Sequence, residues 1–193
     1  MPALSILPKI HDMTLNLKGY SLNKSHIEAL VEACKTGPKI LDSILLDSNG
    51  LKDKSMAKLL EGLSKLHRLK KFACSNNQMM GGSVHFLTKI INNPKPVHLD
   101  ELRLNNCKLS RNFTADLLTE LNDKHVRKLS LIKCNLDHSN IIGLRTLIEN
   151  SQVLIDLDIS WNEMTVQAVA DLTETLNMDR RLQYLNLSFN NLI

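Results

Sequence analysis

The side chains with reactive chemistry to offer in this 193-residue chain are its seven histidines and four cysteines. His11, His26, His67, His85, His98, His125 and His138 are scattered. His98 and His125 fall at equivalent places in a repeat described below, but two imidazoles without a third ligand make a poor metal site. They read as turn or edge residues. Cys34, Cys74, Cys107 and Cys134 form no C-x-x-C, so neither a zinc site nor a redox pair is expected. The chain contains no P-loop, G-x-S-x-G or H-E-x-x-H and no nucleophile paired with a base. The expectation is a protein that is not an enzyme and needs no cofactor and no metal.

Composition narrows the class further. With 24 basic and 20 acidic residues the net charge is +4, a mixed surface that favours solubility over nucleic-acid binding. Lys52, Lys54, Lys58, Lys65, Arg68, Lys70 and Lys71 form a basic run, but no aromatics interleave it as in single-strand binders. It reads as a solvated face. The first residues lack the basic and apolar regions of a secretory signal. No segment approaches the roughly 20 apolar residues that a membrane helix needs, so membrane insertion is not expected.

The elements that position these side chains follow from one eleven-residue phrase. Leu182-Gln-Tyr-Leu185-Asn-Leu187-Ser-Phe-Asn190-Asn-Leu192 has apolar residues at positions 1, 4, 6 and 11 and Asn at position 9. The phrase recurs from Asp12, Leu41, Leu69, Leu99, Val126, Leu154 and Leu182, at spacings of 27 to 30 residues. Positions 4 and 6 alternate with positions 3, 5 and 7, the period of a strand buried on one face and exposed on the other. Their inward pairs run from Leu15/Leu17 through Phe72/Cys74 to Leu185/Leu187. Between phrases the apolar period becomes helical, as in Met56, Leu59, Leu60 and Leu63. Helices are expected near 24–35, 53–66, 82–92, 111–122, 138–149 and 165–177. Asp53, Ser83, Ser110 and Thr165 are candidate caps, and Gly37-Pro38 and Pro94-Lys95-Pro96 mark helix exits.

The phrase matches the L-x-x-L-x-L-x-x-N/C-x-L signature of leucine-rich repeats. A unit of about 28 residues with a full helix resembles the ribonuclease-inhibitor-like class, which also occurs in NLR receptors, Ran GTPase-activating protein and tropomodulin. The resemblance implies an α/β fold: a right-handed solenoid curved as a horseshoe arc, with a parallel sheet on the concave face and helices on the convex face. It covers residues 12–193 as a single domain, after an N-terminal flank of residues 1–11. It also implies an intracellular, cytoplasmic setting, cytoskeletal or within a large complex. Position 9 runs Tyr20, Asn49, Asn77, Cys107, Cys134, Asn162 and Asn190. In the repeat class this column is a structural ladder that bonds the turning backbone. A disulfide between Cys107 and Cys134 would suit adjacent rungs, but a reducing compartment argues against it.

The exposed columns carry the individuality. Position 3 gives Thr14, Ser43, Lys71, Glu101, Lys128, Asp156 and Tyr184, whose alternating charges are expected to face each other as a self-neutralising ladder. Position 5 supplies Arg103 and Asp158, and position 8 supplies Trp161 and Phe189. Trp161, Phe189 and Tyr184 therefore gather at the C-terminal end of the sheet surface, where aromatic clusters make good protein-binding anchors. Trp161, Tyr184, Phe189, Asp158 and Arg103 are the expected partner-binding residues. The expected function is a non-catalytic scaffold for another protein. The alternatives are an activator of a small GTPase, or a sensor or inhibitor module of the NLR or ribonuclease-inhibitor kind. Only Ile193 follows the last phrase, which leads to the expectation of a longer solenoid or a partner over this end.

Overall fold

The computed structural model describes residues 10–11, 13–36, 41–64, 66, 69–92, 99–109, 111–121, 126–178 and 181–192. Asp12, Lys65, His67, Arg68, His98, Ser110, His125, Ile193 and both proline-marked helix exits lie outside them. The side chains of Ile10, His11 and Arg111 are not among those described.

Each phrase forms a three-residue strand at positions 3 to 5: β2 (Thr14–Asn16), β3 (Ser43–Leu45), β4 (Lys71–Ala73), β5 (Glu101–Arg103), β6 (Lys128–Ser130), β7 (Asp156–Asp158) and β8 (Tyr184–Asn186). A short β1 (Ile10–His11) precedes them and pairs antiparallel with β2. From β2 to β8 all neighbours are parallel and strictly in register, position 3 beside position 3. The sheet order is the chain order and the sheet is open. Six helices alternate with these seven strands: α1 (Lys24–Thr36), α2 (Asp53–Leu63), α3 (Gly81–Ile91), α4 (Arg111–Leu121), α5 (Ile141–Asn150) and α6 (Val166–Met178). A single strand–helix unit cannot bury its own apolar face, so each unit depends on its neighbours.

The core lies between sheet and helices and is almost wholly aliphatic. From Leu15 and Leu17 to Leu157 and Ile159, the side chains at positions 4 and 6 are buried to 2% exposure or less. Each such leucine or isoleucine contributes roughly 1.5–3 kcal/mol relative to an exposed one. The helices add Leu59, Leu60, Leu87, Leu117, Leu144 and Leu172. Leu185 and Leu187 of the β8 phrase are only half-buried.

The backbone repeats more tightly than the sequence. All seven residues at position 8 are left-handed, with φ between 53° and 63°: Gly19, Ser48, Asn76, Asn106, Lys133, Trp161 and Phe189. This geometry turns the chain out of the sheet while the position-8 N–H still donates along the stack. Gly19 donates to the Asp47 carbonyl at 2.9 Å, and Trp161 to the Ser188 carbonyl at 2.9 Å.

Several local expectations are corrected by packing. α2 ends at Leu63, short of residue 66, and the segment from His138 opens as a 3-10 turn before α5 begins at Ile141. Asp53 caps the neighbouring helix instead of its own. Its carboxylate accepts from the Met80 N–H (2.7 Å), the Ser83 N–H (3.1 Å) and the Ser83 hydroxyl at the start of α3. Thr165 accepts from the Ala168 N–H at 3.3 Å. Position 7 is not exposed throughout: Asp47, Ser75 and Ser160 are buried and Asn105 and Ile132 half-buried, while Lys18 and Ser188 at the two ends are exposed. It forms a second polar ladder, in which the Ser75 N–H donates to the Asp47 carboxylate at 2.8 Å and the Ile132 N–H to the Asn105 side chain at 3.1 Å. Ala73, at outward position 5, is also buried.

Candidate binding surface on the sheet

The surface begins with the rungs that hold its strands. Asn77 donates to the carbonyls of Leu46 (3.0 Å), Cys74 (2.7 Å) and Ser75 (3.1 Å), and its oxygen accepts from the Leu51 N–H at 2.9 Å. Asn49 and Asn162 repeat the pattern, and the half-buried Asn190 repeats it with fewer bonds. Each Asn thus ties two repeats together. Cys107 and Cys134 hold the same column as free thiols, their sulfurs bonded to the carbonyls of Cys74 (3.2 Å) and Leu104 (3.1 Å). Tyr20 is half-buried and meets His26 edge-on. Burial pushes the Cys34 thiol up to about 11 and the Cys134 thiol up to about 12, so both are protonated at neutral pH. Among the described residues no group of three or more histidines, cysteines or carboxylates could hold a metal ion.

Among the described residues the charges of column 3 pair as alternation suggests at Lys71 and Glu101 but not beyond them. Lys71 and Glu101 form an ion pair at 2.5 Å. Lys128, in register between Glu101 and Asp156, has no ion-pair partner within 4.0 Å among the described residues. Lysines in neighbouring strands have long side chains with solvated alternatives, and an exposed pair gains only about 0–1 kcal/mol. Arg103 is engaged differently. Its guanidinium reaches two strands along the stack to Asp47 at 2.8 Å and approaches Glu101 at 4.0 Å. Ala73 stands in register beside Arg103, which accounts for its burial.

At the other end the side chains lie open. The Trp161 and Phe189 rings stack at a centroid distance of 4.2 Å with an interplanar angle of 18°. They are 55% and 68% exposed, and Tyr184 is 52% exposed. Asp158 accepts from the Ser160 N–H (3.0 Å) and hydroxyl (2.7 Å) and from Asn186 (3.1 Å), which fixes its carboxylate. Glu101, Arg103, Lys128, Asp156, Asp158 and Tyr184 line an open groove of about 400 Å³ across β5 to β8. Of the five residues singled out from sequence, Arg103, Asp158 and Tyr184 line this groove, and Trp161 and Phe189 stack on each other at the turn that follows the strands. Arg103 and Asp158 are tied down by their partners, while Trp161, Phe189 and Tyr184 stand exposed. Sequence reasoning passed over Asp156 and Lys128 as ladder residues, although their place in column 3 carried the signal.

The fold is of the leucine-rich-repeat type: stacked strand–helix units, a polar rung at position 9, and a sheet face of varied side chains. No family model and no curated protein matches the chain. Among solved structures it is similar to the tropomodulin C-terminal domain of Caenorhabditis elegans, with a TM-score of 0.62 and 17% identity over 78% of this chain and 91% of that one. At that identity the likeness is one of fold. Among the described residues, no helix is long and apolar enough to cross a membrane.

Proposed function

We propose that this chain is a non-catalytic interaction module that binds another protein through the C-terminal strands of its sheet. The observation that carries this reading is the Trp161–Phe189 stack. Both residues occupy the left-handed region, at φ 56° and 57°. A bulky side chain there costs roughly 1–2 kcal/mol, and both rings are largely in solvent, where they repay little by burial. Large aromatics with exposed faces are the usual anchors of protein interfaces. The leucine-rich-repeat fold supports the same reading, since a stacked sheet offers an extended, rigid platform.

On this reading residues 12–193 act as one domain of the ribonuclease-inhibitor-like class, on the strength of the roughly 28-residue strand–helix unit. An intracellular setting, cytoskeletal or within a large complex, belongs to the same proposal and draws on the likeness to the tropomodulin domain. The test is site-specific crosslinking in the native cell. A photoreactive residue at position 184 should crosslink to a discrete protein, while one at the exposed position 167 on α6 should not. Equal yields from both positions would remove the reading.

A further inference from the structure

The charge of the chain is not evenly spread. Between Arg145 and Asp179 there is no lysine, arginine or histidine, yet the stretch carries Glu149, Asp156, Asp158, Glu163, Asp171 and Glu174. The whole chain has a net charge of +4, so this repeat is an acidic band in a basic molecule. The fold stands the band against the exposed aromatics. Asp156 is in register with Tyr184, and Asp158 with Asn186. Trp161 and Glu163, both exposed, follow on the turn. Asp158 is satisfied by Ser160 and Asn186, whereas the Asp156 carboxylate has no hydrogen-bond or ion-pair partner among the described residues.

We propose that this acidic, aromatic end of the sheet binds a cationic segment of the protein partner, one arginine or lysine side chain lying on Tyr184 with Asp156 as its counter-ion and another, further along the segment, on the Trp161–Phe189 stack. The inference rests on the sheet face being the interface, and it names the chemistry of the partner. Aromatic faces attract cations through the ring quadrupole, and arginine also stacks flat on them. The free Asp156 carboxylate, in register with Tyr184, adds a charge-assisted hydrogen bond. The same carboxylates disfavour a phosphate backbone or an acidic peptide on this face.

Trp161 is the only tryptophan, so its fluorescence reports on this site alone. The probe is a dodecapeptide of alternating arginine and glycine, compared with its neutral citrulline counterpart, a glutamate–glycine peptide and oligothymidine. The arginine peptide should quench Trp161 saturably, more weakly as salt rises, and bind about tenfold or more tightly than the citrulline peptide. Asp156→Asn should weaken it about tenfold and Asp156→Lys further, while Asp171→Asn on α6 should leave it unchanged. Circular dichroism checks that the variants fold. Equal binding of the citrulline peptide, indifference to Asp156→Asn, or preference for the acidic peptide or oligothymidine would each overturn the inference. Crosslinks from position 184 to a protein, without arginine-peptide binding, would overturn the cationic partner and leave the sheet-face reading standing. If both fail, the face itself is wrong.

Discussion

The Arg103 guanidinium reaches the Asp47 carboxylate at 2.8 Å although the two residues belong to repeats that are not neighbours. Ala73 stands in the intervening strand, in register with Arg103 and buried. A longer side chain at position 73 would occupy the path of the arginine, so three repeats are coupled by one small residue and one long one.

This coupling is open to measurement. A double-mutant cycle of Arg103→Ala and Asp47→Ala, followed by urea denaturation, should give a coupling energy of about 1–2 kcal/mol. Ala73→Leu should abolish most of that coupling while adding apolar volume. A cycle that closes to zero would mean that solvent screens the pair.

The Asn rungs should be unequal. Asn162→Ala strands the Leu131 carbonyl and the N–H groups of Cys134 and Leu136, while the carbonyls of Ile159 and Ser160 keep one donor each, Asn190 and the Lys133 N–H. Each buried orphan costs about 1–3 kcal/mol, offset in part by relaxation, so a loss of about 3 kcal/mol in chemical denaturation is expected. Asn190→Ala, where the surroundings are half-buried, should cost about 1 kcal/mol.

Trp161→Gly separates folding from binding. Glycine removes about 1–2 kcal/mol of left-handed strain, and loss of the Phe189 stack removes about 0.5–1.5 kcal/mol of attraction. Stability should therefore change by less than about 1 kcal/mol. Trp161→Val keeps the strain, loses the stack and adds β-branching, and should lower stability by about 2 kcal/mol in thermal or urea unfolding. Both variants should lose crosslinking from position 184.

Two groups set opposite pH limits. Partial burial pushes the Asp53 carboxyl up, but bonds from the Ser83 hydroxyl and the Met80, Ser83 and Gly82 N–H groups outweigh it and hold the carboxyl below its ordinary 3.8. A depressed folded value means stability that is present above about pH 4 and lost as pH falls through the folded value. Asp53→Ala should lose about 1–2 kcal/mol at neutral pH and flatten the acid limb of the stability curve.

At the alkaline end the sign reverses. Burial raises the Cys34 thiol to about 11 and Cys134 to about 12, above the ordinary 9.0, so their contribution is complete below about pH 9 and is lost as pH rises towards those values. Thiol-labelling reagents should react slowly with native protein near neutral pH and with all four cysteines after unfolding in urea. Rapid labelling of the native protein would show that the repeats open locally.

Which of these features could be read without coordinates follows from periodicity. The phrase at Leu182–Leu192 determined strand, turn and rung together, because positions 4, 6 and 9 must meet the same burial in every repeat. It therefore also placed Trp161 beside Phe189, since a fixed period makes column mates into neighbours. What the tertiary structure alone decided were interactions between columns and between repeats. These include the lateral cap of Asp53 on α3, the burial of Ala73 beside Arg103, the second polar ladder through Asp47, and the lack of a side-chain partner for Lys128 and Asp156 among the described residues. Helix ends also shifted there, at Leu63 and His138. Such features depend on the direction and reach of side chains across 5 to 10 Å, about one or two strand spacings, which residue type and spacing do not encode.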